Sequence, residues 1–309
     1  MKWSKSLIQT LRENPGDAEI ESHKLMVRAG LMKKVAGGLY AYLPLGMRAL
    51  NKVQKIVREE MDRAGAQEIV MPILQPAEFW KTSGRWESMG PGMFRLKDRA
   101  THDYALSPTA EEMVTDVVKS VVSSYRQLPV TVYQIQWKFR DEIRPRFGLM
   151  RSKEFLMKDA YSFHTSQEDL EKYYAECYEA YNRIFARAGV PEVVAVASDS
   201  GMMGGKVSHE YMLLTAVGED TIVLCHDCDY RANMEAAPCI LTSEAGEEAA
   251  LEKAHTPNIK TIEDLAAWLE AHKGDICHWV TVDDLSHLKR GGRISATTAL
   301  VGTMLNVKP

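Results

Sequence analysis

Apolar residues between positions 165 and 188 recur with the period of an α-helix. Their spacing of about 3.6 residues predicts a long amphipathic helix with one buried face. The polar run Thr165-Ser-Gln-Glu168 predicts a capping box at its first turn. The same criterion predicts a helix over 45–64, which Gly65 ends, and another over 113–122.

Two runs of β-branched and aromatic residues, 130–139 and 155–163, predict a pair of antiparallel strands joined by an Arg-rich loop. A third run over 68–74 contains Pro72, so we expect an edge or irregular strand there. A short amphipathic helix is predicted over 261–272. Helices that flank antiparallel strands indicate an α+β fold.

Composition limits the possible functions. A chain of 309 residues fits two domains, and an Ala- and Glu-rich stretch indicates a linker within 219–255. The formal net charge of −4 argues against nonspecific coating of nucleic acid but allows local basic patches. Neither a signal-peptide core nor an apolar run near the roughly 20 residues of a membrane span is present. Five irregularly spaced cysteines favour a reducing compartment, so we expect a cytoplasmic protein without membrane contact.

The stretch 137–163 combines basic and aromatic residues, which suits a site that binds phosphates and stacks a base. Its basic residues are Lys138, Arg140, Arg144, Arg146, Arg151 and Lys153. The order Phe139-Arg-Asp-Glu142, a loop over 143–150, then Arg151-Ser-Lys-Glu-Phe155 resembles the second signature motif of class II aminoacyl-tRNA synthetases. With its flanking sequence, it resembles the bacterial-type prolyl-tRNA synthetases.

That resemblance implies an ATP site on the hairpin. Arg140 would be the catalytic residue, which holds the α-phosphate and the amino-acid carboxylate where negative charge develops. Arg151 would bind the terminal phosphates, Glu142 would lie on the nucleotide side, and Phe155 would stack on adenine. From the residues alone, a cross-strand ion pair of Arg140 with Glu142 or a neighbour, and an ordinary core role for Phe155, remain alternatives.

Further substrate-binding residues follow from the same resemblance. Thr109 and Glu111 match the family's Thr-x-Glu loop, which reads the substrate amino group, although a Thr109…Glu112 capping box is an alternative use of this segment. His209 and Glu210 lie in a segment like the family's Gly-Gly-x-x-Ser-His-Glu-Phe sequence, which lines the substrate pocket.

The segment Gly37-Gly38-Leu39-Tyr40…Pro44-Leu-Gly46, the helix after it and Pro72 resemble the first signature motif of the family. In the family this motif builds the dimer interface. The resemblance therefore implies a homodimer.

The likeness weakens toward the C-terminus. We expect a catalytic core with motifs 1 and 2 over 1–222, then a linker and an incomplete editing-type insertion domain over 223–309. The third motif and the anticodon-binding domain are not found, and 285–309 do not look like the family. Cys225-His-Asp-Cys228 is half of a zinc knuckle. Zinc therefore remains an alternative, with further ligands to come from Cys239, His226, His255 or Cys277.

The implied function is the ATP-dependent activation of L-proline and its transfer to proline tRNA. Mg²⁺ is expected with ATP, although its ligands cannot be identified from the sequence. Without the third motif, we expect the chain alone to be nearly inactive. The alternatives are a synthetase for threonine, serine or glycine, and a non-catalytic remnant or accessory protein that keeps the fold.

Overall fold

The computed structural model describes residues 3–201, 204–238 and 267–268. Two compact units are distinguished, one of Met1–Val194 with Leu213–Gly218 and one of Ala195–Met212 with Glu219–Pro309. Most of the helix predicted over 261–272 lies outside the described residues. Ala267 and Trp268, which are described, are helical.

Six α-helices of the first unit are described, and three match the predictions. They are α1 (Glu21–Arg28), α2 (Pro44–Arg63), α3 (Ala77–Thr82), α4 (Arg85–Ser88), α5 (Glu111–Val121) and α6 (Gln167–Ala188). The predicted helices over 45–64, 113–122 and 165–188 correspond to α2, α5 and α6. Gly65 follows α2 with a φ of +77°, a left-handed conformation that suits glycine and ends the helix.

The strands of the first unit form three small sheets. The strands are β1 (Met32–Ala36), β2 (Leu39–Tyr42), β3 (Gln67–Glu68), β4 (Leu74–Pro76), β5 (Arg95–Lys97), β6 (Asp103–Leu106), β7 (Val130–Phe139) and β8 (Glu154–Phe163). Their orders are β1-β2, β3-β7-β8 and β4-β6-β5. Apart from the parallel β3–β7 pair, the described pairings in these sheets are antiparallel.

The β7–β8 hairpin is the predicted strand pair, and its register runs without a break from Val130↔Phe163 to Phe139↔Glu154. Directly paired residues of an antiparallel ladder lie on the same face. One face buries Tyr133 against Met61 of α2 and Ala66. The opposite face carries the polar residues described below.

The run over 68–74 does not form one strand. It contributes to β3 and β4, which belong to different sheets, and Pro72 lies between them. Proline has no backbone N–H to donate to a ladder, which agrees with its place outside both strands. The prediction of an irregular segment was correct, but its division between two sheets was not foreseen.

The predicted capping box of α6 is wrong, and the alternative of a Thr109…Glu112 capping box at α5 is not formed either. Ser166, not Thr165, is the N-cap of α6, and its hydroxyl accepts a hydrogen bond of 3.2 Å from the Asp169 N–H. The N-cap of α5 is Ala110, which offers no side-chain cap. The Thr109 hydroxyl donates instead to the Glu111 carboxylate. In each case a neighbouring polar residue offered a competing partner that sequence spacing does not resolve.

A buried carboxylate joins α2 to α6. Glu60 is completely buried and accepts hydrogen bonds of 2.7 Å from Arg183 Nε and 2.6 Å from Arg187 Nη1. Arg63 lies 3.2 Å away as a third cation. Burial alone would raise the pKa of Glu60, but the bonds from Arg183 and Arg187 outweigh it and lower the pKa from the ordinary 4.5.

A four-stranded sheet in the order β10-β9-β12-β11 takes most of its residues from the second unit. Its strands are β9 (Val193–Ala197), β10 (His209–Leu213), β11 (Ile222–Leu224) and β12 (Arg231–Asn233). β11 and β12 pair antiparallel, and their loop contains Cys225 and Cys228. Across both units, no helix of the described residues is long and apolar enough to cross a membrane.

Candidate active site

Arg140 and Phe155 lie together at the loop end of the β7–β8 hairpin. The Arg140 N–H donates to the Lys153 carbonyl at 2.9 Å, which extends the pairing of the two strands. The guanidinium carbon lies 5.3 Å from the centroid of the Phe155 ring, within cation–π range. Its Nε also donates to the Pro108 carbonyl at 3.3 Å. The hairpin register thus fixes a cation beside an aromatic ring.

The guanidinium of Arg140 is partly desolvated although the residue as a whole is exposed. This desolvation lowers the pKa of Arg140, while the nearby carboxylate of Glu111 raises it. An arginine stays charged at neutral pH in either case. A partly desolvated, fixed positive charge is what the stabilisation of a developing anion requires.

Glu142 pairs with Arg151 rather than with Arg140. Arg151 Nε lies 3.1 Å from the Glu142 carboxylate. Burial raises the pKa of Glu142, but the bond from Arg151 outweighs it, so the pKa is lowered. Glu142 therefore does not form the ion pair with Arg140 that the sequence allowed. Arg140 instead lies near Phe155 and Glu111.

The turn between β1 and β2 supports the loop of this hairpin. Gly38 has a φ of +72°, and its carbonyl accepts a hydrogen bond of 2.9 Å from the Lys153 N–H. A Cβ on Gly38 would lie 2.8 Å from Cβ of Pro145. Only glycine allows this close approach. The segment that resembles motif 1 therefore contacts the loop of motif 2 directly.

Thr109 and Glu111 form a second polar group at the start of α5. The Thr109 hydroxyl donates to Glu111 Oε2 at 2.5 Å, and Arg85 Nη1 lies 3.1 Å from the same oxygen. Glu112 accepts from Arg85 and from the Ser83 hydroxyl, at 3.0 and 2.9 Å. Glu112 therefore does not complete a capping box, and the carboxylate of Glu111 is held in a fixed orientation.

Sequence reasoning missed a buried polar network on the same face of the β7–β8 hairpin. Lys138 is completely buried and lies 2.9 Å from the Asp159 carboxylate. Gln134 and Tyr161 also donate to Asp159, at 2.9 and 2.6 Å. The Tyr161 hydroxyl accepts from the Ala110 N–H at 3.2 Å, so the network also holds the Thr109–Glu111 segment. Polar residues at alternate positions of both strands were the available signal.

Burial and donation to Asp159 raise the pKa of Tyr161 well above its usual range. Tyr161 is therefore a neutral hydroxyl at physiological pH, able to donate to Asp159 and to accept from Ala110 at the same time.

His209 and Glu210 belong to β10 of the second unit. Glu210 Oε2 accepts a hydrogen bond of 3.3 Å from Asn233 of β12, and both residues lie within the four-stranded sheet of that unit. Their place in a substrate pocket stays a prediction.

The Cys225–Cys228 segment is exposed, and both thiols are free. The Asp227 N–H donates to Cys225 Sγ at 3.4 Å, and this bond lowers the pKa of Cys225. In the described part of the chain, no group of three His, Cys, Asp or Glu residues could hold a metal ion. Cys239, His255 and Cys277, which were considered as further zinc ligands, lie outside the described residues.

Two protein families match parts of the chain. Residues 94–249 match the family described as the tRNA synthetase class II core domain (G, H, P, S and T). This segment contains Thr109, Glu111 and the whole β7–β8 hairpin. Residues 244–309 match the DegV family, which is described as uncharacterised.

Bacterial proline–tRNA ligases are similar to most of the chain. The ligase of Geobacillus sp. (strain WCH70) is 56% identical over 272 residues, which cover 87% of this chain and 48% of the relative. The ligase of Oleidesulfovibrio alaskensis is 52% identical over 271 residues, which cover 87% of this chain and 47% of the relative. The chain spans about half the length of these curated relatives.

Solved structures share the fold. Giardia lamblia prolyl-tRNA synthetase in complex with prolyl-adenylate matches with a TM-score of 0.55 at 22% identity. The match covers 60% of this chain and 39% of the Giardia chain. A threonyl-tRNA synthetase domain from Cryptosporidium parvum Iowa II, described as RNA-binding, has a TM-score of 0.52 at 24% identity, with coverages of 56% and 43%. These likenesses confirm the predicted α+β architecture. Since proteins for two amino acids share it, the fold alone does not identify the substrate.

Proposed function

Because the chain belongs to the family of class II tRNA synthetase core domains, we propose that it carries the site for ATP-dependent activation of L-proline, whose product is transferred to proline tRNA. The observation that carries this proposal is the position of Arg140. Its guanidinium lies over the aromatic ring of Phe155, and the carboxylate of Glu111 is near enough to raise its pKa. That position lets one guanidinium contact a nucleotide and an amino acid at once.

Activation joins the carboxylate of proline to the α-phosphorus of ATP, and pyrophosphate leaves. Negative charge builds on the α-phosphate as the new bond forms. Arg140 would hold that phosphate and the proline carboxylate with its two-pronged guanidinium. Phe155 offers a flat surface for adenine, and Arg151, held by Glu142 at 3.1 Å, would bind the terminal phosphates.

Recognition of proline would depend on Glu111 and Thr109. A secondary ammonium carries two N–H donors, and a carboxylate is its natural acceptor. The identity of 56% to a bacterial proline–tRNA ligase favours proline over threonine, serine or glycine. We also propose a substrate-binding role for His209 and Glu210, on the resemblance of their segment alone.

Mg²⁺ would enter with ATP. This ion usually keeps several waters and takes few protein ligands beside the phosphates, so a cluster of three protein ligands is not required. We also propose a cytoplasmic location, a core over 1–222 and an insertion-type segment over 223–309. The DegV match over 244–309 competes with that last assignment.

The proposal can be tested by binding of a stable mimic of prolyl-adenylate, prolylsulfamoyl adenosine, measured by calorimetry on the whole chain. We expect the wild type to prefer it to the threonyl, seryl and glycyl mimics. Arg140→Ala should weaken binding by roughly ten- to a hundredfold, since a charge-assisted hydrogen bond contributes about 1.5–3 kcal/mol. Arg140→Lys should be nearly as weak, because a point charge cannot bridge two groups.

Arg126→Ala is the control, because Arg126 is exposed on the short helix Tyr125–Gln127, outside the proposed site. A preference for another aminoacyl mimic would replace proline as the substrate. Binding unaffected by Arg140→Ala would contradict its role. Proline-dependent exchange of labelled pyrophosphate into ATP would then distinguish an active enzyme from a binding remnant.

A further inference from the structure

Arg85, the first residue of α4, connects two acidic residues of α5. Its Nη1 lies 3.1 Å from Glu111 Oε2, and 3.0 and 3.2 Å from the two oxygens of Glu112. The Arg85 side chain is 19% exposed, so solvent screens these contacts only in part. Glu111 is the residue that, on the proposed function, reads the substrate ammonium.

The guanidinium of Arg85 is itself held in place by a buried aromatic ring. Its central carbon lies 5.3 Å from the Trp80 ring centroid, and Trp80 is completely buried. The Trp80 indole N–H donates to Gln75 Oε1 at 3.1 Å, and the Gln75 amide donates to Ser107 Oγ at 3.2 Å. Trp80 therefore supports the guanidinium that the two carboxylates bind.

The same chain of contacts returns to Glu111. Ser107 Oγ donates to the Thr109 carbonyl at 2.8 Å, and the Thr109 hydroxyl donates to Glu111 Oε2 at 2.5 Å. Arg85, Trp80, Gln75, Ser107, Thr109 and Glu111 thus form a closed ring of interactions. This ring holds Glu111 in place, because its carboxylate cannot turn without breaking its contacts to both Arg85 and Thr109.

Arg85 bridges the carboxylates of Glu111 and Glu112, so its single positive charge is shared between them. A carboxylate that shares its cation in this way keeps acceptor capacity for a bound ammonium group. Without Arg85, the carboxylates of Glu111 and Glu112 would lose the cation that joins them, and their repulsion would turn Glu111 away from its present orientation.

We propose that Arg85 is a positioning residue for amino-acid recognition, which acts through Glu111 by fixing its orientation toward the substrate ammonium. This inference rests on the proposed function of Glu111. It predicts that Arg85 affects binding of the amino-acid part of the ligand and leaves binding of the nucleotide part unchanged. The inference also predicts that substitution of Arg85 no longer weakens binding of the amino-acid part when Glu111 has already been replaced by glutamine.

A double-mutant cycle of Arg85→Gln and Glu111→Gln tests this, with prolylsulfamoyl adenosine and ATP as separate ligands of the whole chain. We expect each single variant to bind the prolyl mimic at least tenfold more weakly than the wild type. The double variant should be no weaker than Glu111→Gln alone. ATP affinity should stay within twofold of wild type in every variant, and Arg85→Lys should restore part of the affinity for the mimic.

Arg95→Gln is the matched control, because Arg95 lies 4.4 Å from the neighbouring Trp86 ring centroid but makes none of the ring contacts given above. Losses that add in the double variant, or a parallel loss of ATP binding, would overturn the inference. A wild type that prefers another aminoacyl mimic would refute the proline assignment alone, and the cycle would be run with that mimic. A wild type that binds none of the four mimics would overturn both.

Discussion

At the scale of single residues, Glu60 is a completely buried carboxylate whose partners are partly exposed. Arg183 and Arg187 come from α6, more than a hundred residues away in the chain. Removal of the Glu60 carboxylate should lower the free energy of unfolding less than removal of a fully buried cation would. The reason is that Arg183 and Arg187 can turn toward water once their partner is gone. What is lost is the attachment of α6 to α2.

We expect Glu60→Gln to lower the free energy of unfolding at pH 7 by about 1–3 kcal/mol, through the loss of charge-assisted hydrogen bonds. The pKa of Glu60 is lowered in the folded state, so its contribution is full above the ordinary value of 4.5 and is lost as the pH falls through the folded value. Wild type and variant should therefore converge in stability in acid. Thermal unfolding between pH 7 and pH 3 measures this.

Glu59→Gln is the control, since the Glu59 side chain is 41% exposed and should matter little. A difference between wild type and Glu60→Gln that stays constant down to pH 3 would show that packing, and not charge, accounts for the loss.

The residues of the site differ in how far sequence could predict them. Arg140 and Phe155 follow from a motif with a fixed order along the chain. Lys138 and Asp159 come from facing strands, and Arg85 reaches Glu111 across 26 positions. Such pairs arise only when strands and helices have packed. Local spacing therefore predicts the residues of a motif but not the residues that support them.

At the scale of elements, the close contact between the β1–β2 turn and the β7–β8 loop requires Gly38. We expect Gly38→Ala to lower the free energy of unfolding by about 1–3 kcal/mol more than Gly65→Ala, since overpacking typically costs that much. Gly65 is a matched control with a similar φ of +77° and no atom within 4 Å of an added Cβ. Denaturant unfolding of both variants measures the difference.

The affinity of Gly38→Ala for prolylsulfamoyl adenosine should also fall, because Lys153 and Pro145 would have to move with the loop. Equal stability of the Gly38 and Gly65 variants would mean that this loop yields easily.

Long elements could be predicted and short ones could not. α2, α5 and α6 repeat their apolar positions over several turns, so the pattern outweighs local noise. β3 and β4 contain two and three residues, too few for any period. Their strand geometry comes from pairing with β7 and β6. The cap of α6 was misplaced by one residue because Thr165 and Ser166 are both capable of it.

At the scale of the whole molecule, the segment that resembles motif 1 leaves apolar side chains exposed. Val35 of β1 is 70% exposed, and Met47 and Val53 of α2 are 39% and 43% exposed. We expect self-association at micromolar concentration, detected by sedimentation velocity, and expect Val53→Glu to weaken it. Val121→Glu is the control, because Val121 is 69% exposed at the end of α5, outside this segment. A monomer at all concentrations would count against the homodimer and would favour the alternative of a non-catalytic remnant that keeps the fold.

The two family matches overlap at residues 244–249, inside the linker predicted over 219–255. Sequence composition thus changes where the family likeness changes. The synthetase likeness was readable because its motifs lie close together in the chain. The DegV likeness of the last residues was not recognised from sequence.

The unbroken register of β7 and β8 determines which changes of length the sequence can tolerate during evolution. Deletion of one residue from either strand would turn every later side chain to the other face. The contact between Arg140 and the Phe155 ring would then be broken, as would the hydrogen bond from Gln134 to Asp159. A gain or loss within the loop 143–150 leaves the ladder intact. Over evolutionary time, the two strands should therefore accept exchanges of side chains but reject insertions and deletions, and changes of length should collect in the loop between them.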